Sequence, residues 1–308
     1  MKKISSFLII LAGIFWGSQG IFVNQLGKMD LTSMDIAGVR VAGTGVIIFL
    51  VILFTKRELL KIKIQDIWIF SGSGLLSIIC FNCCYYQAIQ MTSMAMAAVL
   101  LYISPAVVAV LSCIFLREKV TVRKIFALIS AFAGCFFVSG ILGREQVVTV
   151  MGVMAGIGAG VAYALYSIFS AIGLRKGYQP VTIMTYTFTT GGIGILPLCN
   201  IQKIMEKSVQ HLNLVLIEIV FVVVSALLPY LLYTIALKYM EAGKASIMAS
   251  TEAIAATLFG ILFLHEKLTV NIILGIIAVV FSIVVLNVKI PVKVKTTKPE
   301  IPESTSVN

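Results

Sequence analysis

Ten times along this chain an apolar run of about twenty residues recurs, and no other feature limits the possible folds so severely. A helix of that length covers the roughly 30 Å of bilayer hydrocarbon at 1.5 Å per residue. The runs fall at residues 5–26, 33–55, 67–88, 94–116, 124–142, 149–173, 180–199, 213–237, 243–264 and 268–288. A membrane barrel would instead show shorter segments alternating between apolar and polar residues. Charged residues make up 12% of the 308, about half the share in a soluble domain, and the mean hydropathy is +1.04. The expected fold is therefore an all-α polytopic membrane protein with ten transmembrane helices. The first run is too long for a signal peptide and lacks a small-residue cleavage site, so it reads as a span. The Pro-, Lys- and Ser-rich residues 289–308 read as a disordered tail.

Basic residues set the orientation. With a cytoplasmic N-terminus, the segments on that side hold eighteen of the 24 Lys and Arg, the opposite segments five, and Arg40 lies within a span. By the positive-inside rule both termini are expected to be cytoplasmic, and the expected location is the cell (plasma) membrane. The same excess accounts for the net charge of +11 as a topology device, so nucleic acid is not an expected partner.

One phrase is written twice. Residues 115–121 read FLREKVT and residues 263–269 read FLHEKLT, 148 positions apart, closing the fourth and ninth spans. A repeat unit of five spans places its two copies in opposite orientations across the membrane. Residues 12–22, AGIFWGSQGIF, align similarly with 159–169, AGVAYALYSIF. Inverted repeats are the mark of secondary transporters, in which two like halves rock about a midplane site.

With Trp16-Gly17, Arg40 in GVRVAGTG, the stretch YYQAIQMTSMAMAAVLLYISP, Glu118 and Glu266 at helix ends, and Ala162-Tyr163-Ala164, the sequence resembles the drug/metabolite transporter superfamily in its ten-helix EamA-type branch. The resemblance covers residues 5–288. It implies a first repeat over 1–142 (helices 1–5), a second over 149–288 (helices 6–10), and a cavity between them that passes amino acids, other metabolites or drugs. One departure stands out. Where the family's second repeat often has Glu-Pro this chain has Glu252-Ala253, although Pro105 occupies the matching place in the first, so a break in helix four is expected and one in helix nine is in doubt.

Ionisable groups within spans are the first site candidates, because a charge at a helix centre costs about 2.5–3.5 kcal/mol on insertion scales. Glu252, nine residues into the ninth span, can anchor an amine or carry a coupling proton, or else be a hydrogen-bonded structural carboxylate. Arg40 can hold a substrate carboxylate with its planar fork, but a permanent brace to Asp35 or to backbone carbonyls is the favoured alternative. Glu218 reads as snorkelling to the interface. Trp16, Gln19, Tyr85, Tyr102, Ser104, Tyr163 and Tyr230 complete the substrate-site candidates. Pro105 and Pro229 mark helix breaks that free carbonyls. Glu118 and Glu266, beside Lys119 and Lys267, read as gate-end or interfacial salt bridges, and the glycines 13/17 and 152/156/160 as close-packing faces.

An enzyme is not expected. Only two His are present, His211 and His265, and the six Cys sit in apolar spans without acidic or His partners, so no metal and no cofactor are expected. The expected function is a secondary transporter of small metabolites, exporting amino acids or related compounds by alternating access. Drugs, nucleosides or sugars as substrates, or a channel or sensor, are the alternatives. Partners are a small-molecule substrate and the bilayer, with protons as a coupling ion and a homodimer left open.

Overall fold

The protein is described by a computed structural model over residues 2–141, 149–210, 212–265 and 267–288. Glu266, His211 and the tail 289–308 lie outside the described residues. Nine helices there are long and apolar enough to cross a membrane: α1 Ile4–Gly27, α2 Ser33–Thr55, α3 Ile64–Met91, α4 Met94–Leu116, α6 Val150–Arg175, α7 Pro180–Leu198, α8 Asn213–Leu237, α9 Ala242–Leu264 and α10 Val270–Asn287. The remaining span, α5 Val122–Val138, has 17 residues, the lower limit of spanning length. Apolar side chains cover the outside of the bundle, with Phe54, Val122 and Val150 exposed, while Thr44, Ser73, Thr185 and Ser225 are buried within it. Several of these inward hydroxyls return their proton to their own helix, as Thr44 does to the Arg40 carbonyl at 2.7 Å, since lipid offers no partner.

Successive helices alternate between a basic end and a far end. At the basic end Arg123 donates to the Val288 carbonyl, Lys244 to Asn287 and Lys176 to Asp66. At the far end Thr149 donates to the Met91 carbonyl and the Asn200 amide to Asp35.

The same irregularities appear twice, 148 residues apart. Arg117 and His265 both end a helix in the left-handed region, at φ 54° and 56°. Thr121 and Thr269 then cap the helices that follow, accepting from the amides three residues on. The repeated phrase is thus a helix stop, a short link and an N-cap. Helix α4 is interrupted between Leu101 and Ser104, and α9 at Ser250, which matches Tyr102. The doubt about α9 is therefore corrected. Ser250 turns the chain without a proline, its carbonyl accepting from the Ala253 amide at 3.1 Å.

Widened π turns occupy Gly72–Ile79 in α3 and Val223–Leu227 in α8. The expected break at Pro229 is replaced by this π turn. The extra residue per turn absorbs the missing donor, and the helix runs on from Leu228 to Leu237. Helices α5 and α10 pair near the spacing that relates the halves, Ser130 donating to the Ala278 carbonyl at 2.8 Å.

Candidate functional site

The two interruptions meet the middle of the bundle because glycines let other helices reach them. A side chain at Gly160 of α6 would sit 3.1 Å from the Leu100 carbonyl beside the α4 break. On α1, Gly13 faces Thr251 directly, and a Cβ at Gly17 would lie 2.6 Å from the Ala256 amide of α9. The aligned segments 12–22 and 159–169 thus play matching parts, each laid against the broken helix of the other half.

Arg40 projects from α2 and is 7% exposed. Its guanidinium donates to the Gln19 side-chain carbonyl, and more weakly, at 3.4 Å, to Asn82. Asn82 is itself oriented by donating to the Ile78 carbonyl at 2.7 Å. The brace to Asp35 does not form. Asp35 turns to the helix start, accepting from Thr32 and from the Asn200 amide at 2.8 Å, where it closes a capping box. The Arg40 charge is therefore held by two neutral amides.

Glu252 stands one residue beyond the start of the second half of α9, where helix N–H groups favour a negative charge. Tyr163 donates to it at 3.4 Å, a long bond. It interacts electrostatically with Arg40, and both act on Tyr230. The two charges that the sequence singled out are thus near enough to act on each other, although neither is among the residues lining the central cavity. Tyr85 and Tyr102 also lie within the reach of Glu252. Tyr85 stacks on Phe81, whose ring in turn lies 5.4 Å from Tyr163.

Beneath this pair is an aromatic floor. Tyr230 makes T-shaped contacts with Trp16, Tyr166 and Phe188 at centroid distances of 5.1, 4.8 and 4.9 Å. Such edge-to-face contacts add about 0.5–1.5 kcal/mol each beyond burial. Trp16, Ser104, Tyr163 and Tyr230 line a central cavity with Ser77, Ser167 and Ser246. It leaves about 20 Å³ for the centres of water-sized spheres, room for a water or two but not for a metabolite.

Toward the basic end the cavity is barred by two hydroxyl pairs, Tyr166 with Thr234 at 2.7 Å and Ser167 with Tyr233 at 2.8 Å. One to two helical turns beyond them, a cleft of about 350 Å³ opens between Glu118, Arg175, Lys238 and Glu241. Glu118 accepts from the Ala242 and Gly243 amides at 2.7 and 3.1 Å, so it caps the start of α9. Lys124, almost buried, bridges Glu118 at 3.6 Å and Glu241 at 2.6 Å and donates to the Lys119 carbonyl. The partner of Glu118 is thus Lys124, not the adjacent Lys119.

Sequence reading missed Lys124, which counts there only among the eighteen basic residues of the cytoplasmic side. Its place three residues after the capping Thr121, in the first turn of α5, was the available signal. Tyr166, Tyr233, Ser167 and Thr234 were also missed as barrier residues. Among the described residues no cluster of three His, Cys, Asp or Glu could hold a metal.

The profile of the EamA-like transporter family matches residues 3–140 and again 150–288. An uncharacterized transporter of Archaeoglobus fulgidus is 26% identical over 271 residues, covering 87% of this chain and 90% of its own. Another, from Bacillus subtilis, is 23% identical over 290 residues, covering 92% and 90%. A solved crystal structure superposes with a TM-score of 0.74 at 13% identity, over 92% of this chain and 96% of its own.

Proposed function

We propose that this chain, which belongs to the EamA-like transporter family and is a multi-pass membrane protein, is a secondary transporter that exports amino acids or closely related zwitterions by alternating access. Two inverted five-helix halves would rock about the region of Arg40 and Glu252. The single observation that carries this reading is the pair of opposite charges in the interior, neither of which has an ion-pair partner among the described residues. Each charge is costly in that setting. A substrate with a carboxylate for the Arg40 fork and an ammonium for Glu252 would satisfy both, while the aromatic floor takes its side chain.

The hydroxyl pairs and the Glu118–Lys124–Glu241 cluster form a closed gate on the basic side in this reading. The distribution of Lys and Arg supports placing that side in the cytoplasm of a plasma-membrane protein. The direct test is uptake of a labelled amino-acid mixture into proteoliposomes, with and without an imposed pH gradient, for wild type and Glu252→Gln. Saturable uptake lost in the variant supports the assignment. A folded wild type that moves no amino acid removes this substrate class and directs the search to nucleosides, sugars and drugs. Uptake that responds to the pH gradient only when Glu252 is present identifies protons as the coupling ion.

A further inference from the structure

Between α7 and α8 the chain forms a ten-residue helix, Ile201–Gln210, that is too polar to span a membrane and stays at the far end. At 3.6 residues per turn it has three distinct sides. Ile204 and Ser208 face the protein. Ile204 packs against a small cluster around Leu26, Leu214 and Phe221, and Ser208 donates to Glu218 at 3.1 Å. Gln202, Glu206 and Gln210 form an exposed polar side. Between these two lies a row of apolar side chains, Ile201, Met205 and Val209, which are 43%, 62% and 79% exposed.

We infer that this helix lies on the bilayer surface at the far end, with Ile201, Met205 and Val209 immersed in the headgroup–acyl boundary and the polar side in water. An apolar row left bare in water would be costly, and among the described residues the row stays exposed. Its continuity with the lipid-facing surface identifies the occupant. The row follows the exposed Ile193, Leu196 and Leu198 at the end of α7 and precedes Leu216, Ile219 and Val220 at the start of α8. An amphipathic segment joining two spans, with its apolar row between the faces those spans turn to lipid, has the layout of an interfacial helix.

The matching part of the other half is built differently. There Leu59 and Leu60 tuck against the core, and their carbonyls accept from Thr182 and Tyr186. That linker holds only two short turns in place of an amphipathic helix, although Ile64 within it is exposed. The surface helix is tied across the halves by Lys207 and Asp30 at 3.6 Å, so it links the bilayer boundary to the α1–α2 turn.

The test is tryptophan quenching in lipid nanodiscs, against the constant background of Trp16 and Trp68. Met205→Trp and Val209→Trp report the apolar row, Gln202→Trp and Glu206→Trp the polar side. The inference expects brominated lipids to quench the first pair at least about twofold more than the second, with aqueous iodide giving the reverse order. Iodide quenching as strong at 205 and 209 as at 202 and 206, without added lipid quenching, overturns it. Should one variant of a pair fail to fold, the other carries the same comparison. The outcome does not depend on what the protein transports.

Discussion

Replacing Glu118 by Gln should loosen the basic end far more than its surroundings suggest. The carboxylate accepts two backbone amides at 2.7 and 3.1 Å and faces Lys124 at 3.6 Å, with 7% of its side chain exposed. Hydrogen bonds to a charged acceptor contribute about 1.5–3 kcal/mol each. In Gln one oxygen remains as a neutral acceptor, while the new amide group points a donor at a donor. The expected loss is about 2–4 kcal/mol, which at 1.4 kcal/mol per factor of ten shifts the closed-to-open ratio by roughly 30- to 700-fold. Ser246→Cys, in the cavity wall behind this gate, supplies the reporter. Its labelling by a membrane-impermeant thiol reagent applied to the basic side should quicken at least about tenfold when Glu118→Gln is added. Glu241→Gln is the control. Its side chain is 55% exposed, so solvent screens its bridge to Lys124 to about 1 kcal/mol or less, and labelling should change by less than about fivefold. Equal rates in the Glu118 variant and its parent, both folded, would refute the gate.

Ala253→Pro should be tolerated within about 1 kcal/mol, because the turn at Ser250 already exists and the lost Ala253 amide bond is a single one. Ala159→Pro, fully buried within α6, should cost about 3 kcal/mol or more, visible as lost folded yield in detergent. Gly17→Val should lower the detergent melting temperature through a clash with α9, costing about 1–3 kcal/mol, whereas Gly20→Ala, with open space around it, should not lower it. Arg40→Lys keeps the charge but loses the fork toward Gln19 and Asn82, so amino-acid uptake should weaken about tenfold with normal expression.

The spans were legible because membrane thickness fixes both their length and their apolarity, and the spacing between the repeated phrases located the matching caps at Thr121 and Thr269. The rotation of each helix was not legible. An apolar run has no polar face to declare which side turns inward, so the brace expected for Arg40 is Asp35 or backbone carbonyls, and not Gln19 and Asn82 on neighbouring helices. The α9 break was obscured for a different reason. Proline is one way to interrupt a helix, and Ser250 achieves the same turn by closing a tighter hydrogen bond onto its own carbonyl. Glu252 was picked out by cost alone, since a carboxylate midway along an apolar run requires a partner whatever the fold around it. Lys124 escaped notice because positive charge at a helix start ordinarily belongs to solvent.

The claim that Arg40 and Glu252 take the two ends of one zwitterion is tested most directly by competition. Uptake of a labelled amino acid into proteoliposomes would be challenged with the unlabelled amino acid, the amine lacking its carboxylate, and the acid lacking its ammonium. The account predicts that the parent competes at least about tenfold better than either fragment, each fragment having lost one charge-assisted contact of about 1.5–3 kcal/mol. Glu252→Gln should erase the disadvantage of the acid alone, and Arg40→Gln that of the amine alone. Fragments that compete as well as the parent, or variants that leave the ranking unchanged, would contradict it.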